Sequence, residues 1–220
     1  MPNLRLPSCF ALLALLLLSG CGSTPDTPPF SASGYLADRG AVRIWRKTED
    51  HSVHMLTVFT PFQEGASVFT RYSWQDENLV SIERHLSGAK PDDVTLRFDR
   101  DGGLSFMQRQ LADRREAVSE QTVELYKFDA QRMLKISDAL LAGRVLLKQG
   151  RWQGDDSVRT CQGETVKPAL DESEWQRIRF WPHQADVKLS VAWLEAPAGT
   201  QLIQVSTEDD CQWEPQEADF

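Results

Sequence analysis

The chain is 220 residues long, with 24 basic and 32 acidic side chains and a formal charge of −8 at neutral pH. That surplus of acid opposes electrostatic binding to nucleic acid or to anionic lipid, which both call for a basic face, so no nucleic acid is expected as a partner. Hydrophobic residues make up 41%, and the span from Gly34 to Phe220 suits one ordinary core.

Residues 1–20 carry one basic side chain, Arg5, and no acid. An unbroken apolar run follows from Phe10 to Leu18. It is shorter than the roughly 20 residues of a membrane span and fits the core of a signal peptide. Leu18-Ser19-Gly20-Cys21 comes next. Small residues let an extended backbone enter a peptidase cleft, and the thiol accepts an acyl group. This stretch resembles the bacterial lipoprotein box at all four positions. The resemblance implies a signal peptide over 1–20, cleavage before Cys21 and lipid on that cysteine, hence a membrane partner through the lipid. Several buried acyl chains at about 0.8 kcal/mol per methylene make such an anchor permanent. An ordinary secretory signal with a chance cysteine is the alternative. Residue 22 is Gly, whereas in similar lipoproteins Asp at that position favours inner-membrane retention. The expectation is therefore the outer membrane, facing the periplasm.

Residues 21–33 read as the lipidated cysteine and a flexible tether. Pro25, Pro28 and Pro29 oppose helix and ladder pairing, so the segment extends. The globular domain is expected over 34–220.

From residue 34 to 110 the chain reads as strands. Val42 and Ile44 alternate with Arg43 and Trp45 after the turn signal Asp38-Arg39-Gly40. Val53–Thr60, Ser67–Trp74 and Leu79–Leu86 are rich in β-branched and aromatic residues. Val94, Leu96 and Phe98 alternate before Asp99-Arg100-Asp101-Gly102-Gly103, a hairpin signal that leads to Leu104, Phe106 and Met107. Short connections and steady alternation predict an antiparallel meander with one face buried. Ser119–Ala142 is the clear helix. Val123, Tyr126, Ala130, Met133, Ser137 and Leu140 form one face at helical spacing, Ser119 suits the N-cap and Gly143 the C-cap. Strands return at Arg144–Trp152 and Val158–Cys161. A short helix starts at Asp171, with Glu174 closing its first turn and Leu170 stapled to Trp175. Val187–Leu194 and Gln201–Ser206 predict a last hairpin. The expected fold class is α+β and β-rich: an antiparallel meander sheet packed by one long helix, with a second smaller β-hairpin region and a short helix.

Four cysteines occur. Cys9 would leave with the signal and Cys21 would take lipid, so the globular part keeps Cys161 and Cys211. In an oxidising compartment the two suggest a disulfide; two separate buried thiols are the alternative. No second Cys or His pair sits at ligand spacing, so no metal is expected.

Ala32–Arg46 (Ala-Ser-Gly-Tyr-Leu-Ala-Asp-Arg-Gly-Ala-Val-Arg-Ile-Trp-Arg), Phe106–Leu111 (Phe-Met-Gln-Arg-Gln-Leu) and Ser190–Gly199 (Ser-Val-Ala-Trp-Leu-Glu-Ala-Pro-Ala-Gly) resemble the YjaH-like family, an uncharacterised group of proteobacterial lipoproteins. The similarity runs along most of the chain after Cys21. It implies envelope localisation and carries over no activity, cofactor or catalytic residue.

Candidate chemistry is sparse. His51 and His54 fall three apart beside a strand, an odd offset that puts them on opposite faces. Asp99–Gly103 lacks the Gly and Glu positions of a calcium loop and reads as a turn; Glu208-Asp209-Asp210 reads as a solvated loop. Four histidines, among them His85 and His183, and no nucleophile elbow leave a hydrolase improbable. Trp152, Trp175, Trp181, Trp193 and Trp213 concentrate indoles late in the chain; they are either core or a surface for sugar rings and apolar ligands. The expected function is a non-enzymatic, lipid-anchored envelope lipoprotein, a binding or envelope-maintenance module facing the periplasm whose expected partner is an envelope protein or cell-wall glycan, with no cofactor. A carrier of an apolar ligand, lipid or lipoprotein, in a sheet-plus-helix cavity is the alternative, and an envelope hydrolase the second.

Overall fold

The structure, a computed structural model, describes residues 28–63, 65–184 and 186–220. The signal segment and Cys21 lie outside the described residues. Eight strands follow one another as an antiparallel meander: β1 Phe30–Ala37, β2 Gly40–Glu49, β3 Ser52–Pro61, β4 Val68–Gln75, β5 Asn78–Leu86, β6 Asp92–Phe98, β7 Leu104–Leu111 and β8 Arg115–Glu116. Helix α1 spans Glu120–Ala142. A second sheet holds β9 Leu146–Trp152, β10 Val158–Thr160, β11 Thr165–Val166, β12 Ser190–Ala196 and β13 Gly199–Ser206 in the order β11-β10-β9-β12-β13. Helix α2, Glu172–Arg179, interrupts it in sequence.

Two-residue loops set the registers. Ala37 pairs Gly40, Glu49 pairs Ser52 and Gln75 pairs Asn78. Asp76 and Glu77 both adopt positive φ, 48° and 65°, as a hairpin turn matched to strand twist requires. Between Phe98 and Leu104, Asp99 accepts the amides of Asp101 and Gly103 at 3.0 and 2.8 Å, and Gly102 supplies φ 76°. The expected hairpin stands there.

Side-chain alternation then builds four layers. On one face of the larger sheet Ile44, Met55, Trp74, Ile82 and Leu96 meet Val123, Ala130 and Met133 of α1 in one buried cluster. The stripe read from the sequence is thus the packed face of the helix. On the other face Ala41, Trp45, Leu56 and Val58 meet Leu147, Ala192, Leu194 and Ile203 of the second sheet. The far side of that sheet, with Val191, Trp193 and Leu202, is covered by Trp175 and Ile178 of α2. The order is helix, sheet, sheet, helix.

Three expectations need correction. The strand that opens the fold begins at Phe30, so residues 30–33 belong to β1 and not to a tether; each of the four pairs a residue of β2, from Phe30 with Lys47 to Ser33 with Ile44. The meander is not buried on one face throughout: Gly40 to Arg46 are buried without a break, because the second sheet covers that end. The smaller β region is a five-stranded sheet, in which the predicted hairpin pairs onto β9.

Cys161 and Cys211 are joined by a disulfide with Cα atoms 5.1 Å apart, which ties the C-terminal segment to the second sheet. Next to it a polar group is enclosed between the sheets. Arg43 and Asp210 are each 1% exposed and pair at 3.1 Å; Arg43 also donates to Gln149 and Thr60. Burial lowers the pKa of Arg43 and raises that of Asp210, and each partner pulls the other back.

Candidate functional site

The second sheet covers only part of the larger one. From β4 onward the same outward face lies bare, and strand alternation presents Arg71, Glu83, His85, Asp93 and Thr95 on it. The C-terminal segment runs beside them. A groove of about 460 Å³ forms there, with Phe69 and Trp213 as its aromatic side. A smaller hollow of about 160 Å³ continues it past Arg71 and Glu83 towards His54, Ser73, Ser81 and Phe220. Trp213 is held edge-on by Trp45 and Phe69, with ring centroids 5.6 and 5.3 Å away, and the Arg43 guanidinium lies over its ring at 4.5 Å. Phe220 packs on Phe30 at 5.7 Å, and the Arg71 guanidinium lies 5.9 Å over its ring.

The charged groups of the groove differ in their commitments. His85 is paired with Asp93, and His54 Nδ1 meets Ser73 Oγ at 3.1 Å. Arg71 and Glu83 face each other across β4 and β5. Both are exposed, and among the described residues neither makes a hydrogen bond or ion pair.

A second opening lies between α1 and the near end of the larger sheet. This cleft of about 560 Å³ is lined by Tyr35, Leu36, Phe59, Val68, Tyr126 and Met133, with Arg84, Asp129 and Arg132 among its polar groups. Tyr72 donates to Asp129 at 2.9 Å, and Arg132 donates to the same carboxylate at 2.8 Å. Burial, followed by the Asp129 charge, pushes the Tyr72 hydroxyl well above the ordinary tyrosine range. Burial likewise raises Tyr35, while Arg132 offsets it in part. The cleft is open and mixed in polarity. Beside it the cluster of Trp74, Ile82, Leu96 and Val123 is packed, each at most 4% exposed.

A family model described as a protein of unknown function (DUF1481) matches residues 32–216. The chain belongs to the DUF1481 family. It is 43% identical over 210 residues to an uncharacterised protein, YjaH, of Escherichia coli (strain K12), with 95% of this chain and 91% of that protein covered. The resemblance seen in the sequence is therefore real and spans nearly all of the described domain. No solved structure matches the chain.

Within this DUF1481 domain the residues singled out from sequence scatter. His51 lies in the β2–β3 turn, 3.8 Å from Asp76, and is not joined to His54. His183 meets the Trp181 carbonyl at 2.6 Å. Trp45, Trp74, Trp175 and Trp193 are core, while Trp152 and Trp181 are half-buried against the second-sheet cluster; the late tryptophans form no exposed patch. Trp213 alone among the seven lines the groove. Glu208-Asp209-Asp210, expected as a solvated loop, is partly interior: Asp209 pairs with Arg151 and Asp210 with Arg43. Among the described residues no group of three His, Cys, Asp or Glu has metal-ligating geometry, and no helix there is long and apolar enough to cross a membrane. Arg71 and Glu83 escaped the sequence reading. Charged residues at alternating strand positions read as a solvated face, and nothing in the sequence placed the C-terminal aromatics beside them.

Proposed function

We propose that this chain is a lipid-anchored, non-enzymatic protein of the bacterial cell envelope, which uses the bare face of its larger sheet as a binding surface. Leu18-Ser19-Gly20-Cys21 supports the anchor, and Gly22 supports an outer-membrane, periplasm-facing location. The observation that carries the binding role is the groove itself: free Arg71 and Glu83 beside an aromatic wall, on a sheet face the second sheet leaves open. Its partner is an envelope protein or a cell-wall glycan, and no cofactor enters the reading. A carrier of an apolar ligand is the second reading, favoured by the tyrosine-lined cleft under α1 and opposed by the packed core beside it. The hydrolase reading finds one serine–histidine contact, Ser73 with His54 at 3.1 Å, but among the described residues no carboxylate is bonded to His54 to complete a triad.

The anchor is tested by metabolic labelling with a fatty-acid analogue. Label should enter the wild type, and Cys21→Ala should leave unlabelled, uncleaved precursor. Label retained on that variant would sink the anchor. The surface is tested by a photo-reactive side chain in place of Ser81. It should crosslink to envelope material in intact cells, whereas the same group on the far helix at Gln176 should not.

A further inference from the structure

We propose that the groove on β3–β6 is a saccharide site that takes an unbranched, hydroxyl-rich glycan strand. The inference rests on the reading of this face as a binding surface and names what binds there.

The shape comes first. The larger groove and the smaller hollow share Arg71 and Glu83, so the two lie end to end along the sheet face with those side chains between them. A strand of linked rings fits such an arrangement better than a compact ligand.

The chemistry narrows the class. Arg71 offers planar donors and Glu83 planar acceptors, and among the described residues neither makes a hydrogen bond or ion pair. A sugar hydroxyl donates and accepts, so adjacent hydroxyls satisfy the two at once. An acyl chain in the same place would strip water from both charges and return no hydrogen bond, which is costly. A polyanion would meet Glu83, Asp93 and, in the hollow, Asp219. The lining sets Arg71 and Arg84 against Glu83, Asp93 and Asp219, a slight excess of acid that suits an uncharged or weakly charged polymer. The aromatic side adds the remaining element. Phe69 and Trp213 present ring surface with electron-rich faces, which attracts the polarised C–H groups on one side of a pyranose. Trp213 is braced by Trp45, Phe69 and Arg43, so little rotamer entropy is lost when a ring settles against it.

The test uses the full domain from Pro28 and a β-1,4-linked tetramer of N-acetylglucosamine as the probe, with binding read by tryptophan fluorescence. The wild type should show saturable quenching. Arg71→Ala and Glu83→Ala remove exposed side chains that make no hydrogen bond or ion pair among the described residues, and Arg71 adds only the 5.9 Å contact with the Phe220 ring, so melting temperatures should change little. Each variant should weaken binding by about tenfold, the loss expected for one hydrogen bond to a charged group. Quenching that persists in both variants would place the glycan elsewhere and overturn the assignment. No quenching by the tetramer or by unbranched cell-wall glycan strands, together with a crosslink from position 81 to an envelope protein, would overturn the glycan while the binding surface stands. No quenching and no crosslink to any envelope material would overturn both.

Discussion

Arg43 sits where an antiparallel strand would ordinarily point a charge at water. Its neighbours Val42 and Ile44 face α1, so alternation sends Arg43 to the opposite side, into the space between the sheets. Burying an ion pair gains little net stability, but removing one partner strands the other charge. The enclosure around it is incompletely satisfied: Arg43 Nε, Gln149 Nε2, Gln204 Oε1 and Glu214 Oε2 are all buried without a hydrogen-bond partner. Glu214 responds to this setting. Burial pushes its carboxyl pKa up, with the Gln162 amide that donates to it and the nearby Arg43 charge offsetting part of the rise. An acid whose folded pKa exceeds its unfolded value holds its proton longer in the folded state. Its ionisation therefore costs stability as pH rises from the ordinary value of about 4.3 through the raised one. Glu214→Gln keeps an acceptor for Gln162 and removes that cost. The variant should melt higher than the wild type at pH 8, and the gap should close below about pH 4, the ordinary glutamate range. Thermal scans at the two pH values decide it; a constant gap would show that the carboxylate charge is not the cause.

Helix α1 was legible from its own residues. Ser119 accepts the Thr122 amide at 3.2 Å as an N-cap, and the buried stripe keeps the spacing read from the sequence. The C-terminus differs in one detail. Gly143 keeps right-handed φ at −74°, and Arg144 takes the left-handed position at φ 52°, a role glycine fills more cheaply. The stripe decides between the two binding readings. Met133 is 3% exposed and part of the packed cluster, although it also lines the cleft. Met133→Ala should cost about 2–5 kcal/mol, as loss of a core side chain does, and should leave no saturable uptake of a fluorescent fatty acid. A small loss of stability with saturable uptake would favour the carrier. Helix α2 shows the same local logic. Asp171 and Glu174 form a reciprocal capping box. Glu174 also accepts the Leu202 amide at 2.7 Å and Arg177 donates to the Leu202 carbonyl at 3.2 Å. These two side chains satisfy a backbone unit on the edge strand β13, which otherwise offers itself to another chain.

At the scale of the whole molecule the disulfide carries more than its own loop. It closes a separation of 50 residues, for which chain-entropy reasoning gives about 4 kcal/mol. Asp210 precedes Cys211 directly, and Trp213 and Phe220 follow as the wall of the groove. Reduction should therefore lower the melting temperature and loosen that wall together. The native domain should titrate no free thiol before reduction, and tryptophan emission should shift to the red after it. Two thiols reacting in the unreduced, denatured domain would show that the bond is absent.

Local signals were enough for several elements. Periodicity, caps and turn residues are read within a few residues of each other, so α1, α2, most strands of the meander and the Asp99–Gly103 turn followed from sequence alone. The pairing of Cys161 with Cys211 followed from arithmetic on thiols. The start of β1 was missed because Pro28 and Pro29 read as tether, while the pairing of Phe30 to Ser33 with β2 is a tertiary gain. The Asp76-Glu77 turn lacks the glycine that usually announces its conformation. What tertiary structure alone decided is which faces are covered. A strand's alternation names two faces but not their neighbours, and the second sheet's position depends on contacts between residues more than 100 apart, such as Arg43 with Gln149. That placement turned Arg43 and Asp210 inward and left Arg71 and Glu83 outward, although all four are ordinary surface charges by type. Burial is a property of the assembled layers, and the bare face exists because one layer stops short of covering another.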